Sequence, residues 1–456
     1  MARFEISVTG DYVPSWGYQE AARELLQNAM DEQDRDPVHR MDVRYTSRGG
    51  GKLVVTSPGV TLDRSVLLLG ASGKHDQHAR GKFGEGLDLA LLAAVRAGYD
   101  VRIENGAESW APALEHSATW GTAVLVVQTH ALATPRAHFR VEVSGVTPEA
   151  WRETVRRTLF LPGAFATDEV VIPAAKGRIL LDRPGDIYVR GLWVGRFQGY
   201  QCGFDLDDLE LDRDRRMANA YMLGILVSRL WVAALGDPAY QDKALARVSG
   251  LLSTGAADVT HLGWALENTY DETGAAARAA LVGTFHAKWG DKAIPVLTTT
   301  EADRAEGAGL TPVPMERAAK EALEAALGVT FEAAVTAARR ARVRVLSPAE
   351  IRALGWHPRW EYVLGVAKVL EVTTPISIAE FDHTAWGLWR PASGDIALST
   401  RCFAAPNPGQ ALVTLAHEWA HARCASTSHG ATAAATAEDT LAGILGWCTA
   451  WPEGQP

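Results

Sequence analysis

One helical turn near the end of the chain carries residues whose types and spacing could bind a metal ion. His417 and His421 stand at positions i and i+4 of the amphipathic stretch 408–424, which follows a Pro-Asn-Pro turn and is predicted to be a helix. That spacing presents two imidazoles to one Zn²⁺, and Glu418 lies beside them, where it can activate a water molecule. The bland alternative is two surface histidines on a helix.

A zinc centre needs a further protein ligand, and three candidates follow the motif. Metzincin spacing requires a histidine where this chain has Thr427, so that class is excluded. Glu438 lies on a second predicted helix, 433–445, an arrangement that resembles the gluzincin class of zinc peptidases. Asp439 points about 100° further around that helix, and His429 sits in a Ser-His-Gly turn, so both stay as alternatives.

The tail from about residue 346 onward resembles a minimal zincin, which implies a protein or peptide substrate. The resemblance assigns the general base to Glu418 and the zinc ligands to His417, His421 and Glu438. Segments 385–388 and 395–399 are predicted to form a hairpin before the metal helix. In zinc peptidases the edge strand beside that helix pairs with the extended substrate, and we expect this strand at 394–400.

A second polar group lies near the front of the chain. Apolar residues fall at helical spacing over 18–30, and Glu24, Asn28 and Asp31 recur at i, i+4 and i+7, so these three share one face of a predicted helix. Taken alone, such a stripe is typical of the solvated side of an amphipathic helix. The segments that follow it favour a functional interpretation.

A glycine-rich loop is the most informative of these later segments. Gly81, Gly84 and Gly86 open a helix predicted for 87–96. Glycines let a backbone approach a phosphate closely, and the free N–H groups at a helix start attract its charge. A Rossmann motif needs a strand directly before the loop, whereas residues 75–80 are polar, so dinucleotide binding of that kind is excluded.

The ordered set resembles the GHKL, or Bergerat, ATP-binding fold of gyrase-type topoisomerases, MutL proteins, ninety-kilodalton heat-shock chaperones and histidine kinases. Glu24, Asn28 and Asp31 match its N box, and Ser57-Pro-Gly59, 81–86 and Gly121-Thr122 match its three glycine boxes. The resemblance implies that Asn28 holds Mg²⁺ against the phosphates of ATP, that Glu24 is the general base for the hydrolytic water, and that 74–86 is a lid. The nucleotide-binding residues it assigns are Asn28, Asp31, Ser57, Gly59, Lys74, Gly81, Gly84, Gly86 and Thr122.

One departure from the family concerns the recognition of adenine. The family normally has Asp where this chain has Ser57, and that Asp accepts a hydrogen bond from the adenine amino group. A serine hydroxyl contributes less than a carboxylate, so the sequence predicts phosphate binding more strongly than adenine selectivity. Because Glu24 is present, an ATPase is favoured over a histidine kinase.

The elements that must position these groups predict an α+β multidomain fold. The four predicted domains are a Bergerat α/β sandwich at 1–135, a transducer-like α/β domain at 136–216, a helical connector at 217–345 and the minimal zincin at 346–456. In related proteins the second domain sends a basic residue to the γ-phosphate; Lys176, Arg190 and Arg213 are equal candidates here. A polar break at 298–314 is predicted to be a flexible joint.

Composition narrows the class of protein. The net charge of −9 over 456 residues argues against broad nucleic-acid binding, which relies on a positive field. The four cysteines show no CxxC spacing, so they are expected to be buried or idle thiols. No apolar run reaches the ~18 residues that a membrane span needs, and the start lacks an apolar leader segment, so we expect a cytoplasmic protein.

The hypothesis that joins both groups is an ATP-regulated zinc metallopeptidase whose two copies pair when nucleotide binds. The first alternative is an ATP-driven clamp or chaperone-like switch whose tail binds zinc without proteolysis. The second alternative is a nucleic-acid clamp akin to MutL, which the acidic charge disfavours.

Overall fold

A computed structural model gives the structure of the chain and describes residues 2–68, 86–167, 170–211, 220–341, 343–381, 385–391, 393–404 and 409–423. The architecture is mixed α+β with several sheets, which confirms the fold class at that level. Contacts divide the chain into two compact units, 1–280 and 281–456, and the division falls within one helix, Glu272–Trp289.

The first unit begins with a seven-stranded antiparallel sheet and three helices. These elements are β1 (Ala2–Thr9), α1 (Tyr18–Arg35), β2 (Asp42–Thr46), β3 (Lys52–Pro58), α2 (Gly86–Arg96), β4 (Asp100–Asn105), β5 (Glu108–His116), β6 (Ala123–Ala131), β7 (His138–Ser144) and α3 (Pro148–Arg157). The strand order is β1-β6-β5-β4-β7-β3-β2. Because β7 pairs with both β3 and β4, the sheet continues past the boundary predicted at residue 135.

The core of this sheet lies beneath α1 and α2. Along β3 the buried residues alternate as Leu53, Val55 and Ser57, so one face of the strand points into the protein. Helix α2 is buried along nearly its whole length because α1 packs against it. The helices and the strands therefore each turn one apolar face toward the same core layer, as their predicted periods require.

A five-stranded sheet and a group of helices complete the first unit. They are β8 (Val171–Ala174), β9 (Gly177–Leu180), β10 (Asp186–Val189), β11 (Leu192–Arg196), β12 (Gly203–Leu206), α4 (Ala220–Gly236), α5 (Gln241–Thr254), α6 (Leu262–Glu267) and α7 (Glu272–Trp289). The order is β11-β10-β12-β9-β8, and α4 packs against β8 and β9.

The second unit holds two further sheets. Its elements are β13 (Ala293–Val296), α8 (Thr299–Gly307), β14 (Thr311–Pro314), α9 (Arg317–Leu327), α10 (Phe331–Ala341), β15 (Val343–Val345), α11 (Pro348–Ala353), α12 (His357–Val369), β16 (Ile376–Phe381), β17 (Gly387–Arg390), β18 (Asp395–Ser399), α13 (Thr400–Ala404) and α14 (Gly409–Arg423). Strands β13 and β14 pair in parallel, so the predicted flexible joint at 298–314 is wrong. Thr298 caps α8 by accepting a hydrogen bond from the Glu301 N–H at 3.1 Å.

The sheet that precedes the metal-binding motif has the order β15-β16-β18-β17. Strands β16 and β18 are parallel, and β17 is antiparallel to β18, as the predicted hairpin required. Helix α14 packs on β17 and β18 through a core that includes Ile396, Leu398, Leu412 and Leu415. No helix within the described ranges is long and apolar enough to span a membrane.

Candidate functional sites

The polar stripe predicted near the front of the chain lies on α1 and is not solvated. Glu24 is 1% exposed, Asp31 is buried and Asn28 is half-buried. The Arg23 guanidinium lies 3.3 Å from the Glu24 carboxylate and stacks over the Trp16 ring. Since buried carboxylates are costly unless they are paired or bind a ligand, the solvated-helix interpretation is wrong for these residues.

Gly86, the first residue of α2, lies directly against this stripe. A Cβ built on Gly86 would stand 2.7 Å from Glu24 Oε2 and 3.9 Å from Asn28 Nδ2. Only a residue without a side chain lets the two helices approach this closely. The start of α2, whose N–H groups favour anions, is therefore beside two of the residues predicted to act on ATP.

The first predicted glycine box ends β3. Ser57 is buried on the strand face that α1 covers. Gly59 has φ of +76°, and a Cβ there would stand 2.9 Å from the His39 ring, so glycine is required for both its backbone and its neighbour.

Asn105 holds the loop that follows Gly59, and the sequence analysis missed it. Its Oδ1 accepts from the Leu62 N–H at 2.9 Å, and its Nδ2 donates to the Leu62 carbonyl at 2.8 Å. An asparagine after a strand signals only a turn. The partner that gives it this role is far away in sequence, so no local pattern predicts the clamp.

Arg96, the last residue of α2, is a second positioning residue that was not predicted. Its guanidinium donates to four carbonyls of the segment before α1 at 2.7–3.1 Å, namely those of Gly10, Tyr12, Val13 and Trp16. These bonds tie the start of α1 to the end of α2. The end of α2 is thereby held against the segment that leads into α1.

Of the remaining residues predicted to bind nucleotide, Thr122 lies within the described part of the chain. Thr122 lies in the exposed turn between β5 and β6, where its carbonyl accepts from the Ser117 N–H at 2.9 Å. Lys74, Gly81 and Gly84, with the rest of the predicted lid before Gly86, lie outside the described residues.

Two of the three basic candidates for the γ-phosphate meet on one segment of the five-stranded sheet. Lys176 Nζ lies 3.2 Å from the Asp208 carboxylate, and Arg190 Nε donates to the Asp207 carbonyl at 3.0 Å. Arg190 also has φ of +50°, which is uncommon for a residue other than glycine, asparagine or aspartate. Arg213 lies outside the described residues, so the choice among the three stays open.

The metal-binding motif lies on α14 with both imidazoles together. The Nε2 atoms of His417 and His421 are 3.2 Å apart, and the two rings are nearly perpendicular at 87°. Two nitrogens bound to one tetrahedral Zn²⁺ at ordinary bond lengths are about 3.3 Å apart. His421 is buried and His417 is half-buried, so the interpretation as two surface histidines is wrong. The pair matches what one zinc ion requires.

Glu418 is buried against β17. Its Oε2 accepts from the Trp389 N–H at 2.7 Å. A Cβ on Gly387 would overlap the Thr414 side chain and would stand 2.9 Å from Glu418 Cγ. The edge strand predicted at 394–400 is wrong, because β18 lies inside the sheet and β17 is the strand at the edge. A strand must pair on both sides to be interior, and only the fold shows which strand does.

The third ligand of the predicted zinc centre stays a prediction. Glu438, Asp439 and His429 all lie outside the described residues. Within the described ranges, no cluster of three or more His, Cys, Asp or Glu side chains is arranged to hold a metal ion.

Two cysteines fulfil the expectation of buried thiols. Burial raises the pKa of the Cys202 thiol to about 12 and that of the Cys402 thiol to about 11. Cys402 Sγ lies 3.7 Å from Thr414 Oγ1, beneath the metal-binding helix. At neutral pH both remain protonated, so neither has the thiolate character of a nucleophile.

Comparison with known proteins adds no family to this description. No protein-family model matches the chain, and a search of curated proteins found no match.

Proposed function

We propose that the chain is an ATP-regulated zinc metallopeptidase. The observation that carries the peptidase part is the 3.2 Å separation of the His417 and His421 Nε2 atoms, with the buried Glu418 on the same helix. Two imidazole nitrogens at this separation can bind one divalent cation, and without a cation the same distance allows a hydrogen bond between the rings.

Glu418 is the residue that moves protons in this proposal. Its carboxylate accepts a proton from the water that attacks the peptide carbonyl and then delivers the proton to the leaving amine. The Trp389 N–H fixes one carboxylate oxygen at 2.7 Å, so the other oxygen has a defined direction. When bound by His417, His421 and the third ligand, proposed to be Glu438, Zn²⁺ would polarise the substrate carbonyl and acidify the water.

The nucleotide part of the proposal is supported by the approach of Gly86 to Glu24 and Asn28. The start of α2 offers N–H groups to the phosphates, and the Asn28 amide oxygen suits Mg²⁺. Glu24 accepts the proton of the water that hydrolyses ATP. We further propose that ATP binding pairs two copies of the chain and that this pairing controls the peptidase.

The test measures ATP hydrolysis, zinc content and cleavage of a fluorescent peptide library in the full chain, each with and without ATP. Glu418→Gln is expected to lower the rate of peptide cleavage by about 10²–10⁴-fold, while ATP hydrolysis continues. Glu24→Ala is expected to abolish ATP hydrolysis and to remove the effect of ATP on cleavage.

Glu361→Gln is the matched control, because Glu361 is an exposed helical glutamate of the same unit, 3.6 Å from His357. Peptide cleavage by Glu418→Gln at the parent rate would overturn the proposed peptidase activity. Nucleotide-dependent pairing without any cleavage would instead favour a clamp whose tail binds zinc structurally.

A further inference from the structure

A buried glutamine on α1 has no role in the proposed chemistry so far. Gln27 is 0% exposed, and in the part of the chain that the structure describes neither its amide oxygen nor its amide nitrogen has a hydrogen-bond partner. An unpaired buried polar group destabilises the fold. A ligand or a water molecule that enters the site can supply the missing partner.

Other glutamines of the same helix are paired. Gln19 Nε2 donates to the Ala150 carbonyl at 2.9 Å, and Gln33 Oε1 accepts from the Met41 N–H at 3.0 Å. These two amides fasten α1 to neighbouring segments. Gln27 lies between them in sequence, and its amide forms no hydrogen bond to any described residue.

Helical geometry places the Gln27 amide beside the proposed base. At about 100° per residue, Gln27 points about 60° around α1 from Glu24, and side chains three positions apart are neighbours on a helix. Asp31 lies between them, and Asn28 lies about 40° to the other side of Glu24. All four side chains occupy an arc of about 100°, and Gly86 approaches that arc at Glu24 and Asn28.

We propose that Gln27 orients the water that attacks the terminal phosphate of ATP, a role that rests on the hydrolysis proposed above. The Gln27 oxygen accepts one hydrogen of the water, and Glu24 accepts the other as a proton while the new O–P bond forms. The bond from phosphorus to the bridging oxygen breaks, and ADP leaves with its electron pair. Gln27 itself neither gains nor loses a proton. Glutamine amides orient the attacking water in other nucleotide hydrolases.

The experiment replaces Gln27 in the full chain and separates turnover from binding. Gln27→Met keeps the length of the side chain and removes its polar atoms, so kcat for ATP hydrolysis should fall by about 100-fold. The Kd of ADP, measured by calorimetry, should change by less than about twofold, because the lost contact forms only to the water. The melting temperature should hold or rise, because the buried polar atoms are gone.

A further variant provides the control. Gln33→Met removes the bond to Met41, so it should lower the melting temperature and leave kcat unchanged.

The outcomes separate the two proposals. If Glu24→Ala abolishes hydrolysis while Gln27→Met keeps the parent kcat, Gln27 does not orient the water and this inference fails alone. If Gln27→Met weakens ADP binding as much as it lowers kcat/KM, Gln27 contacts nucleotide rather than water, which also overturns it. If Glu24→Ala itself hydrolyses ATP at the parent rate, the hydrolytic function fails first.

Discussion

The two candidate sites differ in how much of each site comes from one stretch of chain. On α14, His417, Glu418 and His421 come from successive turns of one helix, and β17 adds a backbone N–H from Trp389. On α1, Glu24 and Asn28 face Gly86, which belongs to a different helix. The first arrangement exists wherever that helix folds, whereas the second depends on the packing of α1 against α2.

The two sites nevertheless share one feature that a substitution can test. In both sites a glycine lets a neighbouring element approach a glutamate that we propose to be catalytic, Gly86 at Glu24 and Gly387 at Glu418. A methyl group added at either glycine tests the approach without touching the chemical groups themselves.

Gly387→Ala is expected to have the largest effect. The added methyl overlaps Thr414 and presses on Glu418, both of which are buried, so neither side chain has room to move. We expect peptide cleavage to fall by about 10²-fold, as for a misplaced catalytic group, and unfolding to become easier by about 1–3 kcal/mol. ATP hydrolysis should be unchanged. Kinetics and urea denaturation measure both effects.

The matched control for this strand glycine is Gly365→Ala. A Cβ at Gly365 meets no atom within 4 Å, and its position within α12 favours alanine over glycine. Cleavage equal to the parent in Gly387→Ala would mean that β17 does not position Glu418, and the contrast between the sites would be lost.

Gly86→Ala is expected to have a smaller effect on ATP hydrolysis. The added methyl would stand 2.7 Å from Glu24 Oε2, so the carboxylate or the start of α2 must shift. We expect kcat to fall by about 10-fold, because a helix start can move further than a packed strand. Gly250→Ala is the control, since Gly250 lies in α5 and a Cβ there meets no atom within 4 Å. An unchanged kcat for Gly86→Ala would show that the α1–α2 approach does not set the site.

The smallest expected effect is on pH-dependent stability. Hydrogen bonds from Arg344 and from Ser347 lower the pKa of Glu350 to about 2, at the start of α11. A carboxyl with a lowered native pKa stabilises the fold above its unfolded pKa, and this contribution disappears as pH falls through the native pKa.

Glu350→Gln should therefore lower the urea midpoint slightly at pH 6, and the difference from the parent should shrink toward pH 2. High salt should also shrink it, because the carboxylate is exposed. Glu321→Gln, at an exposed position of α9, serves as the control. A difference that persists at pH 2 would rule out ionisation as its cause.

The secondary structure of the first sheet was largely predictable. The sequence predicts strands near 4–8, 41–45, 52–56, 100–104 and 123–127, and all five are present. Strands β3 and β4 alternate between a buried and a more exposed face, whereas β6 buries four residues in succession. Strand β5 and the β13–β14 pair were missed. Strands β13 and β14 are four residues each, too short for a period to show.

Sequence by itself determined the grouping of His417, Glu418 and His421 and the stripe of Glu24, Asn28 and Asp31, because the α-helical period brings residues three or four positions apart onto one face. Only the tertiary structure decided that Gly86 meets that stripe, that Asn105 and Arg96 hold the segments around it, and that β17 rather than β18 forms the edge. Those facts depend on contacts between residues far apart in the sequence, and such contacts produce no periodic pattern in the sequence around either residue.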